Sequence, residues 1–299
     1  YEINIGDWSS DVCSSDLSTY QTDKYWIAEG SKGLRSIQRK GSNSFEALNE
    51  PIILDGPYSN SAFDIVCKND KVYMIIGGKD LLNGKRFDKG GYILTYDYDK
   101  WSFIDPKEAQ KKLNLPRNPR DYTSIAVTTD DSNDEIVYAS SMGDGVIQYK
   151  NGTPVQSYNE KNAFKETAGG YGSGYCYIDG LAFDKNGNLW MTSSEVNHAV
   201  LVLDKAGAWH RLDIEQLRGV YTINDILITS TNDKWIYVPR NTPKLVMIPN
   251  SESLDEVSSY EFTTLIDTDG KELTPSNYTC VAEDKDGYIW VGTNRGAVY

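Results

Sequence analysis

The sequence predicts an all-β protein of repeated four-stranded antiparallel sheets, on three observations: its composition, an aromatic repeat of nearly even spacing, and one segment readable strand by strand. The 299 residues include 21 Tyr, 7 Trp and 25 Gly against 4 Met, with many Asp-Gly and Asn-Gly turns. Aromatic side chains suit pleated surfaces, and such turn pairs suit tight hairpins. Length alone allows one large all-β domain or two ordinary ones.

The clearest internal pair is LAFDKNGNLWMT (181–192) against VAEDKDGYIWVG (281–292). Each copy is an alternating strand, then Asp-Lys-x-Gly, then a strand centred on Trp. Fainter copies place an aromatic anchor at Trp26, Tyr73, Tyr138, Trp190, Trp235 and Trp290, spaced 47, 65, 52, 45 and 55 residues apart. The mean of about 53 is close to the length of a four-stranded propeller blade. The anchors are expected to pack between neighbouring blades, each burying on the order of 200 Å².

One blade reads in full. Ile178–Phe183 alternates as the inner strand, and Asp184-Lys185-Asn186-Gly187 turns it, with Gly187 supplying a positive φ. Leu189–Ser193 and Ala199–Leu203 follow, then the turn Asp204–Gly207 and the outer strand Trp209–Leu212. One helix is expected, Pro106–Leu115, in a connection between blades. Six units are visible. A propeller protects its sheet edges by closing a ring, so the sequence reads as cut at both ends, with six or seven blades when complete and seven preferred.

The first residues read differently. Asp7–Leu17, DWSSDVCSSDL, matches a translation of a common short-read sequencing adapter. Residues 1–17 are therefore expected to be an assembly artefact, with Trp8 and Cys13 outside functional reasoning and residues 18–299 forming the propeller. Recovering the same codons from clean source DNA would refute this.

Composition also excludes functions. A net charge of −13 argues against a nucleic-acid coat protein. No apolar run approaches the roughly 20 residues of a membrane-spanning helix. Only two histidines occur, His198 and His210, and no nucleophile pattern stands near either, so no catalytic triad assembles and no enzyme is expected. His210 is expected to face solvent. Cys67, Cys176 and Cys280 form no CxxC pair and are expected as small buried strand residues, although a disulfide between two of them stays open.

Three Asp-to-Gly stretches, 184–187, 267–270 and 284–287, resemble the start of a calcium loop. They lie between strands without the later oxygens or the helix-loop-helix frame, so they read as hairpin turns, and no metal or cofactor is expected. GGYGSG (169–174) lacks the Lys-Ser/Thr of a phosphate loop and reads as an inter-blade connection. Ser173 does not meet the G-x-S-x-G pattern of a nucleophile elbow. In a propeller, the loops between second and third strands share the ligand face with the blade connections. Those loops carry Lys32, Lys79, Lys85, Arg86, Arg240, Lys244 and Arg295, and His198 follows the second strand of its blade. Cations gathered at one entrance could receive an anionic group; long loops also collect charge without function.

The pattern D-x-x-G-x-x-W-x-G-T-x-x-G at Asp284–Gly296 resembles the two-component regulator propeller repeat of Bacteroidota surface sensors. The segments Tyr25–Leu34, Gly180–Met191 and Leu273–Gly296 together resemble the PorZ-like cell-surface propellers of type IX secretion. That resemblance implies a non-catalytic propeller on the outer-membrane surface, in an attachment complex with a sortase-like partner, where cargo is joined to anionic lipopolysaccharide. It transfers no ligand-binding residue. The alternative is the periplasmic glycan-sensing half of a hybrid histidine kinase. A propeller lyase or glycosidase is a third reading, disfavoured by the scarce histidines.

Overall fold

The computed structural model describes residues 24–28, 34–41, 44–50, 52, 56–81, 83–98, 100–164, 175–255, 257–266 and 269–299. The suspected artefact at 1–17, Lys32, Asp267 and the 169–174 loop lie outside them. The chain divides into two compact units, Tyr1–Gly56 and Pro57–Tyr299. The smaller holds an antiparallel meander, β1 (Lys24–Ala28), β2 (Leu34–Arg39) and β3 (Phe45–Ala47). Its anchor Trp26 pairs with Ser36 and is half-buried.

Among the described residues, the larger unit holds five successive groups of strands, sheets A to E. Sheet A is β4 (Ala62–Lys68), β5 (Lys71–Ile76), β6 (Ile93–Asp97) and β7 (Lys100–Ile104). Helix α1 (Pro106–Leu113) leads to sheet B, made of β8 (Tyr122–Thr129), β9 (Glu135–Gly143), β10 (Gly145–Lys150) and β11 (Thr153–Tyr158). Sheet C is β12 (Cys176–Phe183), β13 (Leu189–Ser193), β14 (Val200–Leu203) and β15 (Trp209–Leu212). Sheet D is β16 (Ile226–Ile228), β17 (Lys234–Val238), β18 (Lys244–Ile248) and β19 (Tyr260–Phe262). A short hairpin, β20 (Leu265–Ile266) with β21 (Glu272–Leu273), precedes sheet E: β22 (Tyr278–Glu283), β23 (Ile289–Thr293) and β24 (Gly296–Val298). Each sheet is an antiparallel meander in chain order, the blade architecture that the repeat predicts. Sheets B and C differ from separate blades: Tyr177 pairs with Met142 and Cys176 with Gly143, which joins them into one hydrogen-bonded sheet.

Period-two alternation builds the interior, because successive strand residues face opposite neighbours. On β9, Val137 and Ala139 join a core with Tyr73 and Ile75 of sheet A, while Ile136 and Tyr138 join one with Leu189 and Met191 of sheet C. On β13, Trp190 turns the other way, into a core with Ile226, Ile236 and Val238 of sheet D. Trp235 packs toward Tyr278 and Val291 of sheet E, stacked on Phe262 at 5.6 Å. Tyr73, Tyr138 and Trp190 are thus the buried wedges that the repeat predicts, at 0%, 9% and 1% exposure.

Several expectations are corrected. Trp290 is 39% exposed, because among the described residues of the larger unit no further sheet follows β22–β24. Its ring instead meets Tyr299 at 4.7 Å. Cys67 and Cys280 are exposed and only Cys176 is buried; all three are free thiols. Cys67 and Cys280 alternate with Val66 and Val281, which take the core-facing positions. His210 is partly exposed, and its ring is held by two carboxylates: Nε2 lies 3.0 Å from Asp204 and Nδ1 3.3 Å from Asp255. Helix α1 stops two residues early, since Asn114 adopts a left-handed φ of 51° that caps it; Asp105 caps the other end through Lys107 N–H.

The Asp-Lys-x-Gly stretches at 184 and 284 are hairpin turns, and their carboxylates are fully occupied. Asp184 Oδ1 accepts from Asn186 N–H and Asn188 N–H, and Oδ2 from Asn188 Nδ2 and Trp190 Nε1. Asp284 repeats the pattern with Asp286 N–H, Tyr288 N–H and Trp290 Nε1. Aspartate thus satisfies the turn's donors and seats the anchor Trp.

Candidate functional site

The first strands β4, β8, β12 and β16 converge on a cavity of about 120 Å³. Pairing shifts register near the same end of three of these strands: between Ala62 and Asp64, Tyr122 and Ser124, and Ile178 and Leu181. A bulge re-aims the extra residue, so Phe63, Thr123 and Asp179 all line the cavity. Hydrogen bonds stitch the strands sideways. Asp64 accepts from Ile125 N–H at 3.1 Å and from Ser124 Oγ at 3.3 Å, while Ser124 Oγ accepts from Leu181 N–H at 3.1 Å. At the third junction a methyl on Gly180 would stand 2.7 Å from both Asp225 Oδ1 and Ile226 N, so only glycine permits the approach.

The loop between β5 and β6 covers one side of this cavity. Lys79 pairs with Arg86 across the loop, and Asp80 N–H donates to Lys85 O at 2.8 Å. Its base requires glycine: at Gly78, φ is +88° and a Cβ would overlap the Phe63 ring. Lys79 then reaches inward, 3% exposed, where its ammonium ion-pairs with Asp179 and donates to Ile223 O at 3.0 Å. Asp179 also accepts from Ser194 Oγ at 2.6 Å, and Ser194 Oγ accepts from Ile223 N–H at 2.8 Å. Burial pushes the Asp179 carboxyl up, against the lowering pull of Lys79.

Asp225 shares the cavity and is pushed up to about 7, first by burial and then by the charge of Asp64. Its side chain is exposed to this space, which is open to solvent. Asp64 is raised for the same first reason.

Above the loop lies a rim of arginine and tyrosine. Arg86 contacts Asp88 at 2.8 Å and lies 3.8 Å from Asp121. Arg117 bonds Asp144 at 2.7 Å and stands over the Tyr175 ring at 5.3 Å. Arg120 lies 4.0 Å from Asp88. A methyl at Gly84 would meet Thr222 Oγ1 at 3.4 Å, with Arg240 Nη2 and the Tyr221 ring at 3.8 Å, so this loop reaches sheet D's connections.

Of the cations that the loops suggest, Lys79 lines the cavity, Lys85 and Arg86 stand on the same loop, and Arg240 Nη2 lies 3.8 Å from a methyl built on that loop's Gly84. Lys79 is buried and neutralised by Asp179, so it offers no charge to an incoming anion; it anchors the loop instead. Lys244 is paired with Glu261 at 2.8 Å, His198 is half-buried near Asp213, and Arg295 is exposed in the β23–β24 turn. None of these three lines the cavity. Sequence reasoning missed Arg117 and Arg120 because they stand between α1 and β8, where no repeat marks position. It missed Asp64, Asp179 and Asp225 because inner-strand bulges carry no composition signal. A larger groove of about 590 Å³ opens between sheets A and B, but its central charge is satisfied: Tyr73 OH and Lys71 both bond Glu135.

Comparisons with known proteins agree with this architecture. The profile of the family "Two component regulator propeller" matches residues 272–295. Among solved structures, PorZ, described as an essential bacterial surface component of the type IX secretion system of Porphyromonas gingivalis, superposes with a TM-score of 0.74 at 19% identity. The likeness covers 93% of this chain and 37% of PorZ, so the chain spans well under half of that protein. The extracellular domain of BT4673 from B. thetaiotaomicron gives 0.38 at 14% identity, over 93% of this chain and 38% of the other. No sequence among curated proteins matches. The chain has a PorZ-like β-propeller fold and carries a two-component regulator propeller repeat.

Proposed function

We propose that this chain is a non-catalytic propeller of the type IX secretion machinery, exposed at the cell surface, where it holds an attachment complex together and receives anionic lipopolysaccharide at the rim of Arg86, Arg117, Arg120 and Arg240. The observation that carries the reading is the superposition on PorZ over 93% of the chain. Fold alone does not assign function, so the rim supplies the chemistry: planar guanidinium groups beside tyrosine rings suit carboxylate- or phosphate-bearing sugars. A non-catalytic role is supported by the cavity lining, where neither His nor Cys occurs and Lys79 and Asp179 are spent on one another. Among the described residues no helix is long and apolar enough to cross a membrane.

The test is binding of purified anionic lipopolysaccharide to the chain and to Arg117→Glu and Arg240→Glu variants. Each substitution should weaken binding at least about tenfold, since each reverses a charge. Unchanged affinity removes the lipopolysaccharide reading. The repeat at 272–295 favours one alternative, a periplasmic glycan sensor of a two-component system. Capture of neutral glycan fragments in preference to anionic ones would support it.

A further inference from the structure

The loop between β5 and β6 is a small hairpin with hydrogen bonds of its own. Lys79 pairs with Arg86, Asp80 N–H donates to Lys85 O, and Gly84 N–H donates to Asp80 O at 2.7 Å. Phe87 N–H closes the base on Gly78 O at 3.3 Å. A hairpin this short holds its bonds only while it is supported, so its amides report on whatever holds it down. Left-handed backbone flanks residues 79–81 and 83–86 on both sides: φ is +137° at Gly77, +88° at Gly78 and +55° at Asp88. A few such positions at the ends of a segment are where a hinge takes up its change in backbone angle.

Lys79 ties this hairpin to sheets C and D. Its ammonium, 3% exposed, ion-pairs with Asp179 on β12 and donates to Ile223 O ahead of β16. The tie also divides the space beneath. One pocket is lined by Met142, Tyr177, Ser194 and Tyr221, and the 120 Å³ cavity lies beside Phe63 and Thr123. The two share Lys79 and Asp179, so the ion pair is their common wall. A buried ion pair adds little net stability, because the attraction is offset by the water that both charges have lost. An outward swing of the hairpin rehydrates both charges, so the closed position is favoured by a narrow margin. The strands on either side are held differently, by Tyr73, Ile75 and Ile93 in an apolar core.

We infer that this hairpin is a strap, latched shut by Lys79 on Asp179, and that the latch holds Arg86 in the rim. On release the strap turns on Gly77–Gly78 and Asp88, the two spaces join, and Arg86 leaves its place. That place is beside the Tyr175 ring: a methyl built on Gly143 would stand 3.2 Å from the ring and 3.5 Å from Arg86 Nη1. By the reciprocity of linked equilibria, an anion gripped by Arg86 in turn favours the closed strap. The hold on Arg86 rests on the proposed role of the rim as an anion site; the strap itself does not.

The experiment is amide hydrogen exchange of the full 299-residue chain, resolved by NMR. In the unaltered chain, Asp80, Gly84 and Phe87 N–H are expected to exchange together, at least about tenfold faster than the amides of β5 and β6. Lys79→Met strands the Asp179 carboxylate and should speed these three amides about tenfold more, with β5 and β6 little changed. Adding Asp179→Asn to Lys79→Met removes the stranded charge and should slow them again. Loop amides that exchange in step with β5 and β6, or a double variant no slower than Lys79→Met, overturn the strap. The comparison within the unaltered chain decides the matter even where a variant fails to fold. Purified anionic lipopolysaccharide should slow the three amides in the unaltered chain and bind Lys79→Met about tenfold more weakly. Binding that changes neither the exchange nor the Lys79→Met affinity overturns the hold on Arg86. No binding to the unaltered chain removes the anion role of the rim and that hold with it, while the exchange rates still decide the strap.

Discussion

The hairpin Asp184–Trp190 in sheet C and the hairpin Asp284–Trp290 in sheet E are one local structure in two surroundings. Both glycines sit at positive φ, 84° at Gly187 and 86° at Gly287. In both, the aspartate gathers the turn's N–H groups on Oδ1 and the indole Nε1 on Oδ2. Beyond the hairpin they diverge. Trp190 is 1% exposed, packed on Ile226, Ile236 and Val238, with Lys234 Nζ 4.5 Å from its ring centre. Trp290 is 39% exposed, and its ring meets Tyr299 of its own segment. Turn chemistry is thus local and repeats with the motif, whereas burial depends on the next sheet.

The largest test of that difference is truncation of the two indoles. Trp190→Ala should cost about 3–5 kcal/mol and Trp290→Ala about 1 kcal/mol or less, in urea unfolding, because only the first leaves a cavity. Equal losses would mean that a sheet covers Trp290 in solution. Next comes the carboxylate: Asp184→Ala strands the buried Asn188 and Trp190 donors and should cost roughly 2–4 kcal/mol. Asp284→Ala should lose visibly less, since water can replace the carboxylate there. The turn glycines should behave alike, each replacement by Ala costing about 1 kcal/mol, because a positive φ is penalised regardless of surroundings. A clear difference between them would show that the turn itself senses the neighbouring sheet.

The smallest effect concerns a feature that sheet C has and sheet E lacks. The hydrogen bond to Asp204 raises the His210 pKa above 6.5, with Asp255 adding to it and burial opposing. A raised histidine binds its proton more tightly when folded. Its stabilisation is therefore complete below about pH 6.5 and is lost as pH rises through the higher folded value. The melting temperature should fall slightly over that interval, and His210→Gln should flatten the fall.

Much of the fold was legible because it follows from short-range rules. The D-K-x-G-x-x-W copies located two hairpins and their anchors, and the alternation of Ile178–Phe183 and Leu189–Ser193 marked strands within two residues of their observed ends. The candidate site was legible only in part. Arg86 and Arg240 were found through their loops, but Lys79, in the same loop, carries the opposite meaning: it is buried against Asp179 rather than offered to a ligand. Nothing near Lys79 in sequence announces a carboxylate a hundred residues away.

What the sequence by itself determined is therefore the repeating unit: strand, saturated aspartate turn, aromatic strand. Each depends on residues within a few positions of one another, where backbone geometry limits the outcomes. Only the tertiary structure decided which copy is buried, which cation is neutralised, and that Asp64, Asp179 and Asp225 share one cavity. Burial and charge coupling depend on distances between strands far apart in the chain, and those distances exist only once the sheets have packed.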